Sequence, residues 1–140
     1  MPLADRLVGM WRLLSYTETR PDGGSTDIFG PEPRGYLCYL ADGRMMVMVG
    51  AAGRLRLRGA WDAIPTADKA ANYDKIIAYA GRYTDLGDRV RHHVEVCWIP
   101  NWEGKDLERL VIPAGEGRII LRTPAEERRP SHDLLWAKVE

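Results

Sequence analysis

Two runs of alternating side chains flank a turn in YAGRYTDLGDRVRHHVEVCW (residues 79–98), and this stretch decides the fold. Residues 90, 92, 94, 96 and 98 form one face of the second run, which is apolar apart from His92. Residues 89, 91, 93, 95 and 97 form the other face. Such alternation is typical of a β-strand with one buried face, and Leu86-Gly87 between the runs predicts a two-residue turn. We therefore predict a β-hairpin with His92 on its inner face.

The turn also predicts which residues of the hairpin oppose each other. The predicted pairs are Tyr83–Val90, Gly81–His92 and Tyr79–Val94, so His92 would lie against a glycine with a tyrosine on either side. A register slip or a bulge would exchange the two faces and bring His93 and Glu95 inward as an acid/base pair. Both registers stay open at this point.

Similar β-type runs recur along the whole chain, separated by turn residues. We predict strands over about 9–20, 35–40, 44–49, 79–84, 89–98, 106–112, 118–123 and 132–139, and one helix from Thr66 to Ala78, between the third and fourth strands. Short connections at Asp42-Gly43, Leu86-Gly87 and 113–117 alternate with long connections at 21–34, 50–78, 99–105 and 124–131. In an up-and-down sheet this puts all tight turns at one end and all long loops at the other. Eight strands suffice to close a barrel around one small ligand.

The inner face is less clear in two other hairpins. Arg109 and Val111 would share a face with Ile119 and Leu121, which places Arg109 inside the barrel. The hairpin about Asp42-Gly43 has two apolar faces, and its pattern does not distinguish them. The first face carries Leu37, Tyr39, Met46 and Met48, and the second carries Cys38, Leu40, Met45 and Val47.

Composition excludes several classes of protein. The chain has 140 residues with 20 basic and 20 acidic side chains, so its charge favours neither a nucleic-acid nor a membrane partner. The N-terminus lacks the apolar stretch of a signal peptide. Cys38 and Cys97 lie far apart without metal-ligand spacing, which predicts reduced thiols in a cytoplasmic protein. No metal and no cofactor are expected, and a homodimer is left open.

Short motifs in a fixed order resemble a known family. Gly9-Met10-Trp11 resembles the Gly-x-Trp opening of lipocalin-like proteins. It is followed by Phe29-Gly30-Pro31, Gly35–Tyr39, Asp42-Gly43, Tyr79–Tyr83, His92–Glu95 and Pro100-Asn101-Trp102. The series is similar to the bacterial and fungal lipocalin-like domain family, over nearly the whole chain. The resemblance implies one domain over residues 1–140, a calycin-type eight-stranded barrel with an internal cavity, and no particular reaction.

Two main functions follow from this interpretation. The first is a barrel that binds a small, mainly apolar or amphipathic molecule in its cavity. Its predicted ligand-binding residues are Tyr39, Met46, Met48, Tyr79, Tyr83, His92, Asn101, Trp102 and Arg109. The second is a cofactor-independent isomerase, cyclase or hydro-lyase of secondary metabolism, with His92, or His93 and Glu95, as catalytic residues. A third, an interaction subunit, is also open.

Overall fold

A computed structural model describes residues 6–54, 56, 58–126 and 129–139. Their regular elements follow in chain order, with short 3₁₀ turns at Trp61–Ala63 and Pro100–Trp102. These elements are β1 (Gly9–Thr19), β2 (Ser25–Asp27), β3 (Arg34–Tyr39), β4 (Arg44–Gly50), α1 (Thr66–Tyr73), β5 (Ile76–Asp85), β6 (Arg89–Cys97), β7 (Asp106–Pro113), β8 (Arg118–Thr123) and β9 (His132–Lys138).

Eight of the strands close into an antiparallel barrel. The strand order runs β1, β3, β4 and on to β9, and β9 pairs back with β1 over Trp11–Glu18. The predicted up-and-down barrel is confirmed. The extra strand β2 pairs only with the end of β1, through Thr17–Thr19. Its three residues are all exposed, so they lack the alternation of burial that predicts a strand.

The helix is present but shorter than predicted. α1 ends at Tyr73, and Ile76, Ile77 and Ala78 instead open strand β5 and pair with β4. Paired β-branched side chains favour a strand over continued helix. The helix lies between β4 and β5, which are the third and fourth strands of the barrel, because the extra strand β2 is counted before them. Among the described residues, no helix combines the length and apolar character needed to span a membrane.

One end of the barrel is closed by tight turns and by Arg6 and Leu7, which precede β1. The Trp11 indole Nε1 donates a hydrogen bond of 2.9 Å to the Leu7 carbonyl, and both residues are buried. Arg6 Nη2 donates to the carbonyl of Gly87, in the β5–β6 turn, over 3.2 Å. Trp11 therefore fills the closed end.

The β3–β4 hairpin corrects the position of two methionines. Leu40 N donates to the Arg44 carbonyl over 2.9 Å, so the loop spans residues 41–43 rather than 42–43 alone. Gly43 takes the positive φ that such a three-residue loop needs. One extra loop residue shifts the pairing of the two strands by one residue, so that the other face of β4 shares the inner side with Leu37 and Tyr39. Met46 and Met48, predicted to line the cavity, lie on the outer face with 63% and 59% exposure.

In that hairpin, the inner face is made of side chains from both of the alternative sets. It carries Leu37, Tyr39, Met45, Val47 and Val49, all buried.

The β5–β6 turn also differs from the prediction, but with a milder effect. Leu86 N donates to the Arg89 carbonyl, which centres the turn on Gly87-Asp88. The pairs shift by two residues, so Tyr83 rather than Gly81 opposes His92. A shift of two residues keeps every side chain on its face, and His92 is inside with 2% exposure.

A β-bulge in β6 divides that strand into two halves. Gly81 opposes Val94 and Ala80 opposes Val96, so that Glu95 is the extra residue. Beyond the bulge the faces exchange, and Val96, predicted inside, is 61% exposed. His93 precedes the bulge and stays outside, while Glu95 itself is exposed. The alternative register, in which His93 and Glu95 enter the cavity, is therefore wrong.

Candidate functional site

The barrel interior contains a cavity of about 310 Å³ beneath the long connections. Its walls are mainly apolar, with Leu37, Val47, Val49, Ile77, Leu107, Leu121, Leu134 and Trp136 among them. The end framed by Trp102 and by Thr123, Pro124, Glu126, Arg129 and Pro130 is the mouth. This agrees with the predicted placement of the long loops at one end of the barrel.

Polar side chains line the apolar cavity from six strands. They are Tyr16 of β1, Tyr79 of β5, His92 of β6, Arg109 of β7, Thr123 of β8 and His132 of β9. Arg109 opposes the buried Val90, which explains its inward direction. The inward position predicted for Arg109 is thus observed.

His92 is held at both ring nitrogens by tyrosine hydroxyls. The Tyr39 hydroxyl lies 2.6 Å from Nε2, and the Tyr79 hydroxyl lies 2.7 Å from Nδ1. Tyr39 is fully buried behind His92, whereas Tyr79 and His92 line the cavity. We call these three residues the Tyr–His–Tyr cluster.

The surroundings keep the cluster uncharged. Burial, and after it the positive charge of Arg109, lowers the pKa of His92 to about 3. Burial raises the pKa of both Tyr39 and Tyr79, against a smaller lowering by Arg109. At neutral pH the cluster therefore consists of a neutral imidazole and two neutral phenols. A neutral imidazole donates one hydrogen bond and accepts one.

Of the remaining predicted site residues, Trp102 lines the cavity, while Tyr83 and Asn101 lie around it. The Tyr83 hydroxyl donates to the Leu40 carbonyl over 2.8 Å, and its ring packs 4.7 Å from that of Tyr39. Tyr83 therefore supports Tyr39 from the side. Asn101 is exposed, but its neighbour Trp102 lines the mouth and packs edge-to-face on Trp98.

The outer-face residues form surface contacts of their own. His93 lies 2.7 Å from the Asp106 carboxylate and 2.8 Å from the Thr84 hydroxyl. Cys38 and Cys97 are both free thiols. In the parts of the chain that the structure describes, no cluster of His, Cys, Asp and Glu could hold a metal ion.

Sequence alternation missed Tyr16. It lies on the face opposite Trp11 and Leu13 by simple alternation, yet all three are buried. The pairing of β1 with β9 shifts between Leu13 and Ser15, so Leu14 is an extra residue and the next residues change face. No signal in the sequence marks this bulge.

Tyr39→Phe removes the Tyr39 hydroxyl and leaves the buried Nε2 of His92 without its partner. We expect this substitution to lower the free energy of unfolding by about 2 kcal/mol. Tyr83→Phe is the matched control, since its hydroxyl bonds only an exposed carbonyl, and should cost less than about 1 kcal/mol. Urea denaturation of both variants measures the difference. Equal losses would contradict the importance of the Tyr39–His92 bond.

Comparison with known proteins places the chain in a family. The model of a lipocalin-like domain matches residues 8–139. A structure of an uncharacterized protein from Bacteroides eggerthii is similar at a TM-score of 0.50 with 12% identity, covering 95% of this chain and 99% of that one. A lipocalin-like protein from Bacteroides uniformis gives a TM-score of 0.49 and 13% identity, with 95% and 98% covered. No curated protein matches. The chain belongs to the lipocalin-like domain family.

Proposed function

We propose that this protein binds one small, mainly apolar molecule inside its barrel. The observation that carries the proposal is the cavity of about 310 Å³, which combines apolar walls with polar groups on Tyr16, Tyr79, His92 and Arg109. Ligand pockets commonly have such walls and a few convergent polar groups, and this volume lies at the small end of their range. The walls would supply affinity, and the polar groups would orient the ligand.

The main alternative, a cofactor-independent enzyme, stays a prediction. The low pKa of His92 means that the ring holds no second proton at neutral pH. An acid/base role would have to use the neutral ring, which can take a proton at one nitrogen and release one at the other. The contacts of both nitrogens with tyrosine hydroxyls are compatible with such a transfer.

Binding can be tested with N-phenyl-1-naphthylamine, a neutral apolar dye that fluoresces more strongly in apolar surroundings. We expect a saturable increase at one dye per chain. Leu107→Trp adds bulk to the cavity wall beside His92, the residue with which Leu107 pairs on the neighbouring strand, and should weaken binding at least about tenfold, equivalent to about 1.4 kcal/mol. If Leu107→Trp does not fold, Leu134→Trp, which also narrows the cavity, serves as the test variant.

The matched control places the same side chain on the outside of the barrel. Met46→Trp changes an outer groove lined by Tyr36, Met48 and Val96 among others, and should leave dye binding unchanged. Loss of binding in Met46→Trp, with binding retained in Leu107→Trp, would place the dye in the outer groove. That result would contradict the proposed cavity site.

A further inference from the structure

Arg109 differs from the other arginines of its neighbourhood in having no carboxylate partner. On the outer face, Arg89 and Arg91 both bind the Glu108 carboxylate, at 3.1 and 2.6 Å. Arg109 points inward, and within residues 6–54, 56, 58–126 and 129–139 no ion pair involves it. Its one hydrogen bond runs from Nη1 to the Glu108 carbonyl over 2.9 Å. The remaining N–H groups of this half-buried guanidinium have no partner in the described part of the chain and can therefore bind a ligand.

The charge of Arg109 acts directly on the polar part of the cavity. Burial raises the pKa of Tyr16 and of Tyr79, and in both cases Arg109 is the largest opposing influence. Three other residues of the lining are acidic or basic: Glu126 and Arg129, which lie at the mouth, and His132, whose Nε2 lies 3.5 Å from the Glu18 carboxylate. An unpaired, partly buried guanidinium is costly, and an anionic ligand would offset that cost.

The hydrogen-bond pattern of the Tyr–His–Tyr cluster determines the direction of the Tyr79 hydroxyl. Among the described residues, the only acceptor for the buried Tyr39 hydroxyl is Nε2 of His92, so we assign Tyr39 as the donor there. The ring proton of neutral His92 must then lie on Nδ1 and be donated to the Tyr79 oxygen. The Tyr79 hydroxyl proton is left without an acceptor on the described part of the protein. Since Tyr79 lines the cavity, that proton is available to a ligand there.

From these two donors we infer that the cavity selects a small apolar acid, whose carboxylate oxygens are bound by the Arg109 guanidinium and the Tyr79 hydroxyl. This inference rests on the proposed binding function and adds the chemical class of the ligand. The Tyr16 hydroxyl, also on the lining and without a hydrogen bond in the described residues, is a third group able to donate. The apolar walls would hold the body of the acid.

The inference can be tested with 2-naphthoate and 2-naphthamide, which have nearly the same shape and differ in charge. Isothermal titration calorimetry at pH 7 should show that the native protein prefers naphthoate at least about tenfold, as expected for a charge-assisted hydrogen bond. Arg109→Gln should abolish this preference, and Arg109→Lys should retain part of it. Tyr79→Phe should weaken both compounds, because each presents an oxygen acceptor.

Arg82→Gln is the control, because it removes the same charge from an exposed position on the outside of β5. It should leave the preference intact. Equal binding of both compounds by the native protein, or a preference that survives Arg109→Gln, would overturn the inference. If neither compound binds while the neutral dye enters the cavity, the acid is excluded but the binding function stands. If the dye also fails to bind, the proposed function itself fails.

Discussion

Acidification from pH 6.5 to pH 3 is expected to lower the free energy of unfolding by about 4 kcal/mol through His92 alone, since at each end of this range the ring is half-titrated in one of the two states. The ring is neutral in the folded protein down to about pH 3, whereas in the unfolded chain it takes up a proton near pH 6.5. Between these values the unfolded state binds more protons, so stability falls by about 1.4 kcal/mol per pH unit. The contribution is complete above pH 6.5 and is lost toward pH 3.

His92→Gln isolates this effect from the titration of the carboxylates. Urea denaturation of both proteins at a series of pH values gives two stability curves. We expect the native protein to lose its advantage over the variant steadily as the pH falls through this window. Parallel curves would mean that the imidazole is protonated as easily in the folded protein as in the unfolded chain.

Replacing Gly81 by alanine is expected to destabilise the barrel by about 3 kcal/mol. A Cβ at this position would collide with the His93 carbonyl oxygen and approach the Glu95 nitrogen to 3.0 Å. These are backbone atoms of the β6 bulge, which cannot move aside as a flexible side chain could. Relief would require the bulge to shift, and with it the pairing that positions Tyr79.

Gly50→Ala provides the matched control in the neighbouring strand. Its Cβ would meet nothing closer than the Lys75 carbonyl oxygen at 3.8 Å. Both substitutions restrict the unfolded chain equally, so their difference reports the contact in the folded state. Gly50→Ala should change the free energy of unfolding by less than about 1 kcal/mol. Similar stabilities for the two variants would show that the bulge does not require a glycine at position 81.

The strands and their closure could be predicted because they depend on local patterns. Alternating burial, glycine-containing turns and the sequence of short and long connections each persist over several residues. The inward direction of His92 survived an error in turn position because the pairing shifted by two residues. Arg109 was placed correctly because β7 pairs with both of its neighbouring strands in a constant register, without a bulge.

The cavity lining was harder to predict because single residues decide it. One additional residue in the β3–β4 loop turned Met46 and Met48 outward, and one in β1 turned Tyr16 inward. Neither has a marker in the local sequence. The contact between Tyr39 and His92 was beyond local reasoning for a different reason, since β3 and β6 are not neighbours in the sheet. Only the curvature of the closed barrel brings them together.

The two bulges also bear on how the cavity of such a barrel can diverge. Because Leu14 and Glu95 are each one residue in excess of the partner strand, deletion of either would remove its bulge and restore regular alternation, while the residues on both sides keep their present faces. Loss of Leu14 would therefore leave the Tyr16 phenol in the interior. One residue gained or lost where the pairing is regular, as in β7, would instead rotate the residues beyond it by one face. A bulge thus marks a place where a strand can change its length by one codon while the set of ligand contacts is kept.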